Sequence, residues 1–95
     1  MFDYLALFEE YLTVELGLAQ NTRLAYLRDL RLLQKTFNYK SSEELLGVNR
    51  QQLLAYLVQL RQAGRSASTV ARKLASIKAF YRFLTAERYI RRNPA

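Results

Sequence analysis

The side chains with the clearest chemical potential in this sequence lie in a basic, hydroxyl-rich stretch towards its C-terminus. Arginine and lysine neutralise phosphates, and serine and threonine are small enough to let a helix approach a nucleic acid closely. From Gly64 to Ala86 there are five basic residues and no acidic one. A solvated helix face would usually mix both signs, so this stretch favours contact with a nucleic acid. The candidate residues are Arg65, Ser66, Ser68, Thr69, Arg72, Lys73 and Ser76.

A helix that opens at Ser66 or Ser68 and runs to about Glu87 is expected to position these side chains. Its apolar residues recur at helical spacing. The residues predicted to face inward are Val70, Leu74, Ile77, Tyr81 and Leu84. At about 100° per residue, Ser68, Thr69, Arg72 and Ser76 then fall on the opposite side, flanked by Arg65 and Lys73. The sequence therefore predicts one outward strip that suits a helix lying in a DNA groove.

A second helix is expected from about Asn21 to Phe37, with Arg28, Arg31 and Lys35 together on its outward side. The junctions before these two helices resemble one another, since Gly17 to Thr22 and Gly64 to Thr69 both read as glycine, four residues, threonine. A glycine ends one helix and small residues open the next, which leaves N–H groups at the positive end of the helix dipole. Such ends bind phosphate or are satisfied by their own caps.

Two further helices complete the predicted fold. The first runs from about Asp3 to Leu16, with an inward stripe of Leu5, Phe8, Leu12 and Leu16. The third starts from a capping box of Asn49 and Gln52 and runs to about Gln62. A single extra turn is predicted at residues 43–46, and no stretch alternates as a strand would. The fold class is therefore all-α, a compact four-helix bundle with one short additional turn.

The composition excludes most site chemistry. A chain of 95 residues has the length of one domain. It has no cysteine and no histidine, so a disulfide scaffold, thiolate zinc sites and the commonest general base are absent. No metal, cofactor or catalytic residue is expected. The start lacks the basic region of a signal peptide, and no apolar run approaches a membrane span. We expect a soluble, cytoplasmic protein.

Charge is unevenly distributed along the chain. Residues 1–20 hold four acidic residues and no basic one, whereas residues 21–95 hold all 15 basic residues and the other four acidic ones. A segregated positive field attracts polyanions, of which DNA, RNA and acidic lipid are the usual examples.

The order and spacing of several segments resemble a known family, the N-terminal, SAM-like core-binding domain of tyrosine recombinases and phage integrases, especially of the Xer type. The resemblance covers nearly the whole chain. The segments that carry it are Phe8-Glu9-Glu10-Tyr11-Leu12 with Glu15; Asn21-Thr22 with Tyr26, Arg28, Asp29 and Leu30; residues 66–84, read as SASTVARKLASIKAFYRFL; and Asn93-Pro94.

The resemblance implies half of a C-shaped clamp, in which the second and fourth helices cross in the major groove of double-stranded DNA. Carried over by position, the DNA contacts would be Thr22, Arg28, Ser68, Thr69, Arg72 and Ser76. Asn21, beside Thr22, is a further candidate DNA contact. Ala19 departs from the family, which commonly has serine there, and this weakens the contacts assigned at the start of the second helix.

The resemblance also implies a domain over residues 1–92, with residues 93–95 opening a linker to a catalytic domain of the same protein. In the family, that domain supplies the tyrosine nucleophile, arginines, lysine and histidine that break DNA. Protomers would meet one another in a DNA-bound tetramer.

Two other classes of protein remain open at the level of sequence. A helix-turn-helix regulator would use Gly64 to Ser66 as the turn before a recognition helix. A helical protein-interaction module would carry its basic face incidentally. Membrane binding is disfavoured, because small residues interrupt the cations and no broad aromatic face opposes them.

Overall fold

A computed structural model describes residues 2–95 as a helical protein. The elements are α1 (Tyr4–Val14), α2 (Gln20–Thr36), a short 3-10 helix (Ser42–Gly47), α3 (Arg50–Gln62) and α4 (Ala67–Ala86). No strand occurs within that range. The predicted all-α class, the four helices and the additional turn are therefore confirmed.

The chain divides after Gly47 into two compact units. The first contains α1, α2 and the 3-10 helix, and the second contains α3 and α4. The predicted domain over 1–92, with a linker from residue 93, stays a prediction; its first residue, Met1, lies outside the described residues.

In the first unit, α1 begins at a capping carboxylate, and a glycine follows its end. The Asp3 carboxylate accepts hydrogen bonds from the N–H groups of Leu5 (3.1 Å) and Ala6 (3.2 Å), which have no partner within the helix. After the helix, Gly17 adopts a φ of +60°, which side chains rarely allow, and the chain turns towards α2.

The first unit is held together by buried leucines and two buried aromatic rings, those of Tyr4 and Phe8. α1 packs against α2 and against the 3-10 helix, and the backbone N–H of Tyr4 donates to Ser42 Oγ at 2.9 Å. Leu16, predicted to face inward, is 48% exposed because α1 ends before it. Tyr26 and Phe37 are half-buried. The buried apolar residues of α1, α2 and the 3-10 helix are Tyr4, Leu5, Phe8, Leu12, Leu27, Leu30, Leu33 and Leu45.

In the second unit, α3 begins with the predicted capping box. The N–H of Gln52 donates to Asn49 Oδ1 at 2.8 Å, and the N–H of Asn49 donates to Gln52 Oε1 at 2.9 Å. Two backbone donors at the start of the helix are thereby satisfied.

The second half of α4 carries most of the buried aromatic surface of this unit. Phe80 and Tyr81 meet edge to face with ring centroids 5.2 Å apart. Val70 and Leu74, predicted inward, are half-buried. The buried apolar residues of the unit are Val48, Leu53, Tyr56, Leu60, Ile77, Phe80, Tyr81, Phe83 and Leu84. α4 is therefore anchored through its C-terminal half.

Replacing Phe80 with alanine should lower the free energy of unfolding by about 3–5 kcal/mol, because a fully buried ring is lost and a cavity remains. Urea denaturation measures this change. The control is Leu54→Ala on α3, which removes a side chain that is 50% exposed and should change stability by about 0.5 kcal/mol or less. Equal losses in the two variants would contradict the burial described for α4.

Candidate nucleic-acid interface

The turn between α3 and α4 sets where α4 begins. Gly64 adopts a φ of +88°, in the left-handed region that favours glycine. Its N–H donates to the carbonyl of Arg61 at 3.0 Å, and the N–H of Arg65 donates to that of Leu60 at 3.1 Å. These bonds satisfy carbonyls at the end of α3. The side chain of Arg65 is left exposed beside the first turn of α4.

Three hydroxyl groups cluster at the start of α4. Ser66 is the N-cap, and its Oγ accepts from the N–H of Thr69 at 3.2 Å and donates to Thr69 Oγ1 at 3.0 Å. The Oγ of Ser68 lies 3.2 Å from that of Ser66. Ser66 and Ser68 are exposed, and Thr69 is half-buried. The structure therefore brings these three predicted residues together.

The exposed side of α4 continues from Ser68 along the whole helix. Its members are small or basic, every one is exposed, and together they span about 120° of the helix surface. We call this surface the α4 strip, and it consists of Ser68, Ala71, Arg72, Ala75, Lys78 and Arg82. Its small side chains leave room for close approach, and its three cations have no acidic neighbour on α4.

Lys73 and Ser76 are not on this strip, and their predicted exposure is wrong. Lys73 is 5% exposed and Ser76 is 0% exposed. The Ser76 hydroxyl donates to the carbonyl of Arg72 at 3.1 Å, within the helix. The physical reason is that Phe80 and Phe83 are both buried, which turns the inward face about 60° from the predicted stripe.

At the start of α2, the helix presents a different arrangement. Its N-cap is Ala19, which makes no side-chain hydrogen bond to the first turn. Asn21 and Thr22, both predicted contacts, are exposed there. The departure from the family at Ala19 therefore leaves the first N–H groups of α2 without a capping side chain.

One exposed row runs along α2 from this end. Residues three and four apart share a helix face, and each member of the row follows the previous one by three or four residues. We call it the α2 row; it consists of Asn21, Leu24, Arg28, Arg31 and Lys35, all exposed. Arg28 is thus presented as predicted, whereas Thr22 lies on another side of the helix.

Sequence reasoning did not include five residues among its candidates. Ala71, Ala75, Lys78 and Arg82 belong to the α4 strip, and the absence of acidic residues from Gly64 to Ala86 was the signal that could have included them. Arg23 is half-buried in the first unit, donates from Nη1 to the Leu18 carbonyl at 3.4 Å, and has no partner for Nε among the described residues. No sequence signal singled it out.

The two surfaces can bind anions and base edges. Guanidinium groups bind phosphate or guanine bidentately, and exposed hydroxyl groups bind phosphate oxygens. Over residues 2–95, no group of acidic side chains could hold a metal ion, and no helix is long and apolar enough to cross a membrane.

Comparison with protein families agrees with this description. Residues 5–88 match the model of the phage integrase, N-terminal SAM-like domain. The chain therefore belongs to this family of helical domains, which confirms the resemblance read from its sequence. The match is to the N-terminal domain of the family and not to its catalytic domain.

The individual relatives are named as tyrosine recombinases. The chain is 38% identical over 87 residues to "Tyrosine recombinase XerC" of Herpetosiphon aurantiacus, covering 92% of this chain and 28% of the relative. It is 37% identical over 87 residues to XerC of Listeria monocytogenes, covering 92% and 29%. It is 30% identical over 89 residues to "Tyrosine recombinase XerD" of Oceanobacillus iheyensis, covering 93% and 30%. The chain thus spans under a third of these relatives. No solved structure matches it.

Arginine introduced at position 68 or at position 76 should have different effects on stability, because position 68 is exposed and position 76 is buried. Ser76→Arg forces a long cation into a site that is 0% exposed, and should lower the free energy of unfolding by at least about 3 kcal/mol. Ser68→Arg, at an exposed position, should change it by about 0.5 kcal/mol or less. Thermal unfolding measures both, and an equally tolerated Ser76→Arg would show that position 76 is at the surface.

Proposed function

We propose that this chain is a non-catalytic domain that grips duplex DNA for a tyrosine recombinase, with the α4 strip in the major groove. The observation that supports this most directly is that the strip exposes only small and basic side chains. An α-helix fits the major groove, where arginine pairs bidentately with guanine. Arg72 is the candidate for that contact, and the hydroxyl of Ser68 and the side chain of Arg65 are candidates for phosphate.

The start of α2 contributes phosphate contacts in the same proposal. Its first N–H groups have no capping side chain and lie at the positive end of the helix dipole. Asn21 and Thr22 are exposed beside them, and Arg28 follows on the α2 row. Such contacts fix the register of a protein on DNA without reading its sequence.

DNA breakage is assigned to another domain of the parent protein. The chain has seven tyrosines and no histidine, and the family's histidine therefore cannot come from it. We propose none of the seven tyrosines as the nucleophile. The proposed partners are double-stranded DNA, the catalytic domain of the same protein, and neighbouring protomers in a DNA-bound tetramer. The proposal includes a cytoplasmic location and no membrane partner.

Contacts between protomers would need exposed apolar side chains, and α3 has two. Leu54 is 50% exposed and Val58 is 55% exposed, and they lie four residues apart on one helix face. They are the candidates in the second unit for packing against a neighbour.

The helix-turn-helix alternative has some support in the four residues that join α3 and α4. The family match over residues 5–88 and the recombinase names of the relatives favour the recombinase proposal instead. Tight binding to a protein with no affinity for duplex DNA would favour the interaction-module alternative.

The affinity of this chain for a short duplex should fall steeply as salt rises, because phosphate contacts release counterions from DNA. Fluorescence anisotropy of a labelled duplex, repeated from low to physiological salt, gives the slope of log K against log salt. Several phosphate contacts predict a slope several-fold steeper than about −0.9, the value for one contact. A flat dependence would contradict the proposal.

Arg72→Ala should weaken duplex binding by about 1–3 kcal/mol if the guanidinium contacts a base bidentately, and by less if it meets only phosphate. The matched control is Arg61→Ala, which removes an exposed arginine in the last turn of α3. Binding is measured by anisotropy on the parent's recombination site and on an unrelated duplex. If Arg72→Ala behaves like Arg61→Ala on both duplexes, Arg72 is not part of the interface.

A further inference from the structure

A further basic surface lies at the C-terminal end of α2, away from Asn21 and Thr22 at its start. An open groove of about 630 Å³ is formed there by the last turns of α2, the segment 38–42 and the residues around Asp3. Arg31, Lys35 and Lys40 line it, and all three side chains are exposed. Arg31 and Lys35 belong to the α2 row, but none of these three was among the DNA contacts predicted from the sequence.

The groove exists because the chain turns back on itself after α2. Asn38 adopts a φ of +58°, its N–H donates to the Lys35 carbonyl at 2.9 Å, and the N–H of Tyr39 donates to the Gln34 carbonyl at 3.0 Å. Asparagine is one of the few residues that tolerate this conformation. The segment that follows therefore runs back beside the last turns of α2 and forms the second wall.

Polar groups converge on the groove from that second wall. Ser42 is 7% exposed, and its Oγ accepts from the N–H of Tyr4 at 2.9 Å, which fixes the hydroxyl in place. The N–H of Lys40 donates to Glu44 Oε2 at 3.2 Å, which holds the segment in its turn. The cations of α2 and of the segment thus line one groove, and Ser42 lines it as well.

Among the described residues that line the groove, Asp3 is the only one with a carboxylate, and one oxygen of this carboxylate is hydrogen-bonded. Asp3 Oδ1 accepts from two N–H groups in the first turn of α1, where the helix dipole offsets its charge. Lys35 lies in the last turn of α2, where a cation is favoured by the dipole for structural reasons alone. That explanation does not extend to Arg31, one turn earlier, or to Lys40, outside the helix.

Arg31 and Lys35 also continue the α2 row beyond Arg28. Lys35 follows Arg28 by seven residues, a rise of about 10 Å at 1.5 Å per residue. This distance equals about three nucleotides of one DNA strand, at 3.4 Å each. A duplex that contacts Arg28 can therefore present a different phosphate to the groove.

We infer that this groove binds a backbone phosphate of the same duplex, outside the contacts made by the α4 strip and the N-terminus of α2. The inference rests on the proposed DNA-binding function and extends its footprint along α2. Lys35 and Lys40 supply the charge, and Ser42, which also lines the groove, is a candidate hydroxyl donor.

The test is the salt slope of the double variant Lys35→Ala/Lys40→Ala on a non-specific duplex. Loss of one phosphate contact should reduce the magnitude of the slope by about 0.9. The control Arg61→Ala/Arg91→Ala removes two exposed cations elsewhere, so it reports the effect of net charge alone. Equal melting temperatures of both variants show that the fold is intact. Titration of the unaltered chain with inorganic phosphate, followed by the amide signals of Lys40 and Ser42, tests the groove without DNA.

A slope reduction confined to the groove variant supports the inference. A slope equal to that of the control, while Arg72→Ala still weakens binding, overturns it and leaves the proposed function standing. Phosphate-induced shifts at Lys40 and Ser42 with an unchanged duplex slope would show an anion site that DNA does not use, and would also overturn it. If the chain binds no duplex at all, both the inference and the proposed function are contradicted.

Discussion

The burial of the second half of α4 is the constraint on which the proposed interface depends. Phe80 and Tyr81, both fully buried, fix the rotation of the helix about its axis. That rotation decides which residues of the first half reach solvent, so Arg72 is exposed and Ser76 is not. A helix held only at its start could rotate and blur this distinction. Packing at one end of α4 thus determines the chemistry presented at the other.

The distribution of charged residues among the helices supports the same arrangement. α1 carries two acidic residues and no basic one, whereas α4 carries four basic residues and no acidic one, and cations of this kind attract a polyanion. Small residues such as Ala71 and Ala75 then permit close approach, which long charged side chains in their place would hinder. In the proposed function, positive charge attracts the duplex and small side chains permit close contact with it, and these are separate requirements on the same helix.

The sequence predicted most of the fold because the helix boundaries are marked by local chemistry. Gly17, Gly64 and the capping box at Asn49 are read directly from residue types. The ends of α2 and α4 carry no glycine, and Asn38 and Arg88 adopt positive φ there. Lys73 was wrongly predicted to be exposed. Helical periodicity shows which residues share a face, but how much of the helix circumference is buried depends on the elements that pack against it, and sequence spacing does not specify these. The groove beside Lys40 depends on the turn at Asn38, so it could not be predicted either.

The most direct test of the central claim is to map the amide signals of the isotopically labelled chain by NMR while a duplex is added. The account predicts that the largest shifts and broadening fall on the first half of α4, at Ser68, Arg72 and Ala75. It also predicts small changes at the exposed apolar face of α3, around Leu54 and Val58. Perturbations concentrated on that α3 face, with α4 unaffected, would contradict the claim that the α4 strip lies against DNA.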